Sequence, residues 1–482
     1  MLFNSISFAF FFAAIFVVFW TVFIGNTRLR NAFILGASYF FYGCWDWRFL
    51  GLIFFSSLCD YGIGIAIDSC PDTSRKIKKR WVALSLAINL GLLGVFKYYN
   101  FFIDSAAAVL SPLGLELSSL HLDIVLPVGI SFYTFQTLSY TLDVYRGQMK
   151  ATRDPIAFFA FVSFFPQLVA GPIERARDLL PQFERPSHFN AHVIRSGFLL
   201  ALWGLFKKVV IADRLALGVD AAFQDISSLD GNMAAIALVF FAFQLYLDFS
   251  AYSDIAIGTA RMLGIQLSTN FKRPYLAASF GQFWNRWHIS LSSWFRDYLY
   301  IPLGGSKKGA KRTAIHVMVV FLVSGLWHGA SWNFVIWGAL NGLFLILLDP
   351  WVIRPLARLK GVGRALQAIA VTVCWTVSLA FFRAQDSHDA LLVLSALSDL
   401  RFSEFNGILG MEDFEFKGTV VLLVALVAFE WVQEIRPRLA DAFYEKNRLV
   451  RWSLYGALSM GILLLGSFGL NIADANFIYF QF

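Results

Sequence analysis

Charge is scarce in this chain. Asp, Glu, Lys and Arg make up only 15% of its 482 residues, against about 25% in soluble globular domains. Apolar and aromatic side chains fill the deficit, at 58% and 17%, and the mean hydropathy is +0.62. No single water-soluble core hides that much apolar surface, so the expected fold class is an all-α polytopic membrane protein. Cysteine is scarce too. Cys44, Cys59, Cys70 and Cys374 show no CxxC or paired ligand spacing, which argues against a disulfide framework and a Cys-based metal centre. A nucleophile elbow, a P-loop and a dinucleotide-binding glycine motif are also missing, which removes the usual sequence marks of hydrolases, NTPases and dehydrogenases.

The net charge of +8 is spread over loops between apolar spans. That is the pattern of topogenic charge rather than of a nucleic-acid footprint, and no nucleic-acid partner is expected. At about 20 apolar residues per crossing, candidate spans are Ile6 to Ile24, Asn31 to Trp47, Arg48 to Ile67, Trp81 to Tyr99, Leu122 to Val144, Val193 to Ile211, Met233 to Leu263, two arms around His328, Leu366 to Phe382, Val420 to Val432 with its flanks, and Trp452 to Leu470. Arg28 and Arg30 follow the first run and no basic residue precedes it, so it reads as a retained span with its N-terminus outside.

Lys and Arg then alternate sides in register with the spans. Lys272 to Arg312 falls inside with eight basic residues against Asp297, and Gln385 to Lys417 falls outside with seven acids against two basic residues. Lys207 and Lys208, near the outer end of the sixth span, break the rule. Phe158 to Pro172 is short and interrupted by prolines; it reads as a re-entrant segment, tolerable only where its irregular backbone is buried in protein or lines a cavity. With no repeat or linker in view, residues 1–482 read as one integral membrane domain.

The stretch around which the chain is organised is Gly325-Leu326-Trp327-His328-Gly329-Ala330-Ser331-Trp332-Asn333. It interrupts a long apolar run with basic clusters at both ends, so the run must turn back on itself, and its small residues are where it can do so tightly. His328 then sits at the tip of a hairpin, where an ionisable side chain is a candidate for function and, being imidazole, for proton transfer. Trp327 and Asn333 crowd it. The bland alternative is a histidine that caps the turn.

Residues Phe283 to Tyr300, read as one helix, place Trp284, Trp287, Leu291, Trp294 and Tyr298 on one face and Asn285, His288, Ser292 and Arg296 on the next. This is either an interfacial helix with solvated polar groups or a polar stripe facing a cavity, with nearby basic residues drawing in an anionic donor. Asp248 and Asp254, close to the inner end of a span, either bond neighbouring helices or Arg and Lys residues, or shape the mouth of the same cavity. His288 and His328 are too far apart in sequence to argue a metal site, and none is expected.

Several of these segments resemble one known family, the membrane-bound O-acyltransferases, and within it the bacterial branch typified by the alginate O-acetylase membrane subunit. They are Leu126 to Gln136, Val169-Ala170-Gly171-Pro172, Leu247-Asp248-Phe249-Ser250, Asn270-Phe271-Lys272-Arg273-Pro274-Tyr275, Phe283 to Tyr300, Gly325 to Gly329, and the terminal Phe477 to Phe482. Ala251 departs from the pattern, where Gly is expected. The resemblance implies a ring of about 10 to 12 transmembrane helices with re-entrant pieces around a central tunnel. It also implies catalytic roles for His328 and His288; the residues around them, Asn285, Trp327, Asp248, Arg296 and Asn333, are the candidate substrate-binding residues.

The activity implied is transfer of an acetyl group from a cytoplasmic thioester, acetyl-CoA, to a hydroxyl beyond the membrane. No permanently bound cofactor is expected. The expected partners are the acyl-CoA donor, membrane lipids, a polysaccharide acceptor, and periplasmic acetyltransferase or SGNH-like proteins; the expected location is the bacterial inner membrane. The rival reading from composition is a transporter or channel for a small solute.

Overall fold

Long apolar runs without proline become helices here because in lipid every backbone N–H and C=O must find its partner within the segment. The computed structural model describes residues 1–23, 25–114, 117–400, 408–437, 448–467 and 477, and the described residues contain helices and no strand. In chain order the helices are α1 (Ile6–Val22), α2 (Thr27–Asp46), α3 (Leu50–Ser69), α4 (Arg75–Leu93), α5 (Tyr99–Leu110), α6 (Ile130–Tyr145), α7 (Pro155–Ser163), α8 (Phe165–Leu168), α9 (Ala176–Glu184), α10 (Ala191–Phe206), α11 (Asp213–Gln224), α12 (Gly231–Met262), α13 (Phe280–Trp284), α14 (Ile289–Phe295), α15 (Ile301–Leu303), α16 (Ala310–His328), α17 (Trp332–Leu343), α18 (Gly363–Arg383), α19 (Ser387–Ala396), α20 (Asp413–Ile435) and α21 (Arg448–Leu465). Among the described residues, eight helical stretches are long and apolar enough to cross a membrane, so the protein is an all-α multi-pass membrane protein. Their apolar side chains stay exposed along the spans, as Val421 and Val424 on α20 and Leu463 and Leu464 on α21 do, which suits a lipid solvent.

Polar side chains punctuate these helices. Ser5 accepts from the N–H of Phe8 to start α1, and Asn26 does the same for Leu29 in α2. Asp46 caps the short turn Trp47–Phe49 between α2 and α3 through the N–H of Arg48. Asp154 accepts from Ile156 and Ala157 ahead of Pro155 at the first position of α7.

The chain forms two compact units, Met1–Phe198 with Ala256–Ser268, and Leu199–Ile255 with Thr269–Phe482. In the first, a polar network joins α3, α4 and α6. The Asp60 carboxylate accepts from Ser85 Oγ (2.5 Å), Asn89 Nδ2 (2.8 Å) and Thr141 Oγ1 (3.0 Å), and Ser56 donates to Asn89 Oδ1. Buried in this way, the carboxylate keeps a full set of donors, the condition for a polar group in an apolar interior. Phe158 to Pro172 forms the broken pair α7 and α8, and Phe158, Phe161, Phe164, Phe165 and Ala170 are wholly buried. The irregular backbone is thus covered by protein.

One expected span is corrected and a second keeps its helix with a change of type. Leu122 to Val144 is not one crossing: only α6 is helical, starting after Pro127 and after Gly129, which takes φ +76° where an added Cβ would lie 2.9 Å from the Leu168 carbonyl. Val193 to Ile211 ends its α-helix at Phe206 and continues as a π-helical turn, Lys207–Ala212.

In the second unit, that π-helical turn buries the lysines that broke the charge rule. Lys208 Nζ lies 2.8 Å from Asp213 and 2.5 Å from Asp248, and Lys207 Nζ lies 2.8 Å from Asp254 and donates to Ser250 Oγ. They are internal ion-pair partners, so their side of the membrane carries no topogenic meaning.

Candidate active site

The hairpin forms as its small residues predict, with only Gly329, Ala330 and Ser331 between α16 and α17. Ser331 caps α17 by accepting from the Asn333 N–H. The two backbones touch: a Cβ on Gly325 would stand 2.2 Å from the Phe334 carbonyl oxygen, and one on Gly338 would stand 2.3 Å from that of Phe321. A Cβ on Gly329 would enter the Phe334 ring at 2.1 Å. Glycine at these positions therefore sets how closely the two helices approach.

His328 is the last residue of α16 and is 5% exposed. Its ring is edge-on to three aromatic rings, with centroids 5.0 Å from Trp327, 5.1 Å from Trp337 and 5.5 Å from Phe382. Trp337 was not foreseen from sequence, although it lies one helical turn and a half beyond the hairpin tip. Phe382 comes from α18, and only packing brings it here.

The single amphipathic helix expected over Phe283 to Tyr300 is not formed. α13 ends at Trp284, His288 takes a left-handed conformation (φ 43°, ψ 54°), and α14 starts at Ile289. The cause is local. The Ile289 N–H donates to the Asn270 carbonyl (2.9 Å) and the Arg286 carbonyl accepts from the Lys272 N–H (2.9 Å), so the preceding loop takes bonds that a continuing helix would have used. The polar stripe breaks with it. His288 is buried, at 1% exposure, while Asn285 and Arg296 are exposed and Arg296 bonds Asp297. Among the hydrogen bonds and ring contacts of the described residues, none joins Asn285 or Arg296 to either histidine.

His288 packs against Phe249 (4.6 Å between centroids), Phe271 (6.3 Å) and Trp327 (6.1 Å). Both imidazoles therefore flank the same indole, and this is how the structure joins two motifs 40 positions apart. His288 Nδ1 is 3.1 Å from Asn270 Oδ1. Burial pushes the His288 imidazole down to about 3, so the ring is neutral.

The remaining candidates divide. Trp327 touches both histidines. Asn333 is buried, donates to the Ala384 carbonyl (3.1 Å) and accepts from Ser387 Oγ (2.7 Å), which ties the hairpin to the segment after α18. Asp248 is engaged by Lys208, one position before the Phe249 that packs on His288. Of the basic stretch, Arg273 and Arg286 each lie 2.9 Å from Glu434, whereas Lys272, Lys307, Lys308, Lys311 and Arg312 are exposed. The acidic Gln385 to Lys417 segment and the terminal motif fall partly outside the described residues; within them, Phe477 packs edge-on against Phe249 and tilted against Tyr252.

An imidazole at the end of an apolar helix, enclosed by aromatic rings, can exchange a proton where water is scarce. Comparison with known proteins says for which chemistry. The profile of the membrane-bound O-acyltransferase family matches residues 150–376, a range that holds both histidines. A probable alginate O-acetylase of Pseudomonas putida is 41% identical over 84% of this chain and 82% of its own length.

The chain belongs to the membrane-bound O-acyltransferase family.

A peptidoglycan O-acetyltransferase of Helicobacter pylori is 34% identical over 78% of this chain and 75% of its own length. A teichoic acid D-alanyltransferase of Streptococcus thermophilus is 26% identical over 47% of this chain and 57% of its own. As a member of this family the protein is an acyltransferase, and the transporter reading falls away.

Proposed function

We propose that this acyltransferase moves an acetyl group from acetyl-CoA, reached from the cytoplasm, to a hydroxyl on an extracytoplasmic polysaccharide or on a periplasmic acetyltransferase or SGNH-like partner, in the bacterial inner membrane. The names of its relatives support a cell-surface polymer as the acceptor: alginate, peptidoglycan and teichoic acid recur among them. The two that span most of the chain are named for acetyl transfer, which favours acetyl over D-alanyl. The exposed Lys272, Lys307, Lys308, Lys311 and Arg312 offer positive charge to the phosphates of CoA.

The observation that carries the reading is the enclosure of His328 by Trp327, Trp337 and Phe382. In this scheme a ring nitrogen of His328 takes the proton of the acceptor hydroxyl as its oxygen bonds the thioester carbonyl carbon. The tetrahedral intermediate collapses, the C–S bond breaks, and the proton passes from His328 to the departing thiolate, giving the acetyl ester and CoA. Exclusion of water protects the thioester from hydrolysis in the meantime.

Purified protein in nanodiscs, given labelled acetyl-CoA and a polysaccharide acceptor, is the test. Wild type should release CoA and label the acceptor, and His328→Ala should do neither while remaining folded in the membrane. Equal product from His328→Ala would refute the assignment.

A further inference from the structure

Asn270 is wholly buried, and its side-chain amide has partners at both ends. Oδ1 lies 2.9 Å from Ser290 Oγ and 3.3 Å from the Ser290 backbone nitrogen, and Nδ2 lies 3.1 Å from Ser253 Oγ. A backbone N–H can only donate, so the amide atom facing Ser290 is the oxygen; a flipped amide would set two N–H groups against each other. That same oxygen is 3.1 Å from His288 Nδ1. An amide oxygen carries no hydrogen, so the hydrogen in this bond sits on Nδ1. In a neutral imidazole the other nitrogen, Nε2, then keeps its lone pair.

We propose that Asn270 is a positioning residue for acyl transfer, locking His288 in the Nδ1–H tautomer so that Nε2 accepts a hydrogen bond from an N–H or O–H of a reactant. The proposal rests on the acyltransferase reading for its consequence and on geometry alone for the tautomer. It changes what His288 can do. A neutral ring in this tautomer has no hydrogen on Nε2 to offer a developing oxyanion, so that atom orients a reactant instead of stabilising charge. Two reactants carry the required donor: the pantetheine arm of CoA has amide N–H groups, and a sugar acceptor has hydroxyls beside the one that reacts. Asn270 also holds the bend itself, since its carbonyl takes the Ile289 N–H next to the left-handed His288, a conformation strained for a non-glycine residue.

Asn270 Oδ1 meets the His288 ring at Nδ1, and aromatic rings line it as well. Phe249 on α12, Phe271 in the preceding loop and Trp327 on α16 face it with aromatic surfaces. The nearest carboxylates along α12, Asp248 and Asp254, are engaged by Lys208 and Lys207.

Nitrogen NMR of the full-length protein labelled at histidine ring nitrogens, in nanodiscs at neutral pH, reads the tautomer without any reaction. One ring should show a protonated Nδ1 and an unprotonated Nε2, and Asn270→Asp, nearly isosteric, should shift that Nδ1 signal. A His288 ring with hydrogen on Nε2, or doubly protonated, overturns the proposal whatever the activity. The second arm is kinetic. A carboxylate at position 270 favours the imidazolium, so the pH at which the His288 ring takes its second proton, about 3 in wild type, should rise by about one unit or more in the nitrogen spectrum of Asn270→Asp, and kcat/KM should fall wherever that ring is charged. Asn270→Ala should raise KM about tenfold for whichever of acetyl-CoA or acceptor His288 contacts. An Asn270→Asp enzyme that is less stable yet whose His288 ring titrates as in wild type marks a merely structural residue and overturns the positioning role. The expected tautomer in a wild-type protein that transfers no acetyl group would refute the acetyltransferase reading and leave the tautomer assignment standing.

Discussion

The two histidine sites are held by opposite means. His328 ends a helix hairpin whose geometry depends on missing volume: Gly325, Gly329 and Gly338 let one backbone lie against the other and against the Phe334 ring. His288 sits on a bend whose geometry depends on hydrogen bonds, with Asn270 receiving three donors around one amide oxygen. Aromatic surface joins them, through Trp327 between the two imidazoles and Trp284, Trp287, Trp337 and Trp375 behind. A packed hairpin resists rotation but tolerates no added atoms. A hydrogen-bonded bend tolerates small changes of volume but not the loss of a partner.

Substitutions on either side test that contrast. The largest effect is expected at the hairpin tip, where His328→Ala should lower acetyl transfer about 10² to 10⁴-fold with little change in the melting temperature. Gly325→Val comes next. Its methyls have nowhere to go between α16 and the Phe334 carbonyl, so overpacking should cost about 1 to 3 kcal/mol or more, read as lower thermal stability together with lost activity. If this variant melts like wild type, the hairpin is not held by close backbone contact.

At the bend the expected effects are smaller. Ser290→Ala removes a 2.9 Å bond to Asn270 and should cost about 1 kcal/mol in stability, with acetyl transfer reduced only a few-fold. Smallest is Asn285→Ala. The side chain is exposed, and replacing it should leave kcat/KM within about twofold of wild type, as surface substitutions usually do. A large loss there would restore the polar stripe that the broken helix removes.

Much of the architecture was legible because lipid allows few backbone solutions. Apolar run length reported α2, α3, α12 and the two hairpin arms, and the basic clusters at both ends of the His328 run required it to turn back. Phe158 to Pro172 was legible as irregular from its prolines, and burial then met the condition such a backbone imposes. The charge rule failed at Lys207 and Lys208 because a lysine reports topology only when water is its partner, and here Asp254, Asp213 and Asp248 are. Periodicity failed at Phe283 to Tyr300 for a related reason. A 3.6-residue pattern records which side chains are buried, and it cannot record that Asn270, 19 residues before Ile289, takes a backbone N–H out of the ladder.

Composition by itself determined a helical protein in a membrane, and the residues flanking His328 determined a hairpin with an imidazole at its tip, because solvation and chain reversal are local demands. Only the tertiary structure decided that His288 and His328 share an indole, that Asn285 and Arg296 lie apart from them, and which nitrogen of His288 bears the hydrogen. These outcomes depend on contacts between segments distant in the chain, and sequence spacing carries no record of them.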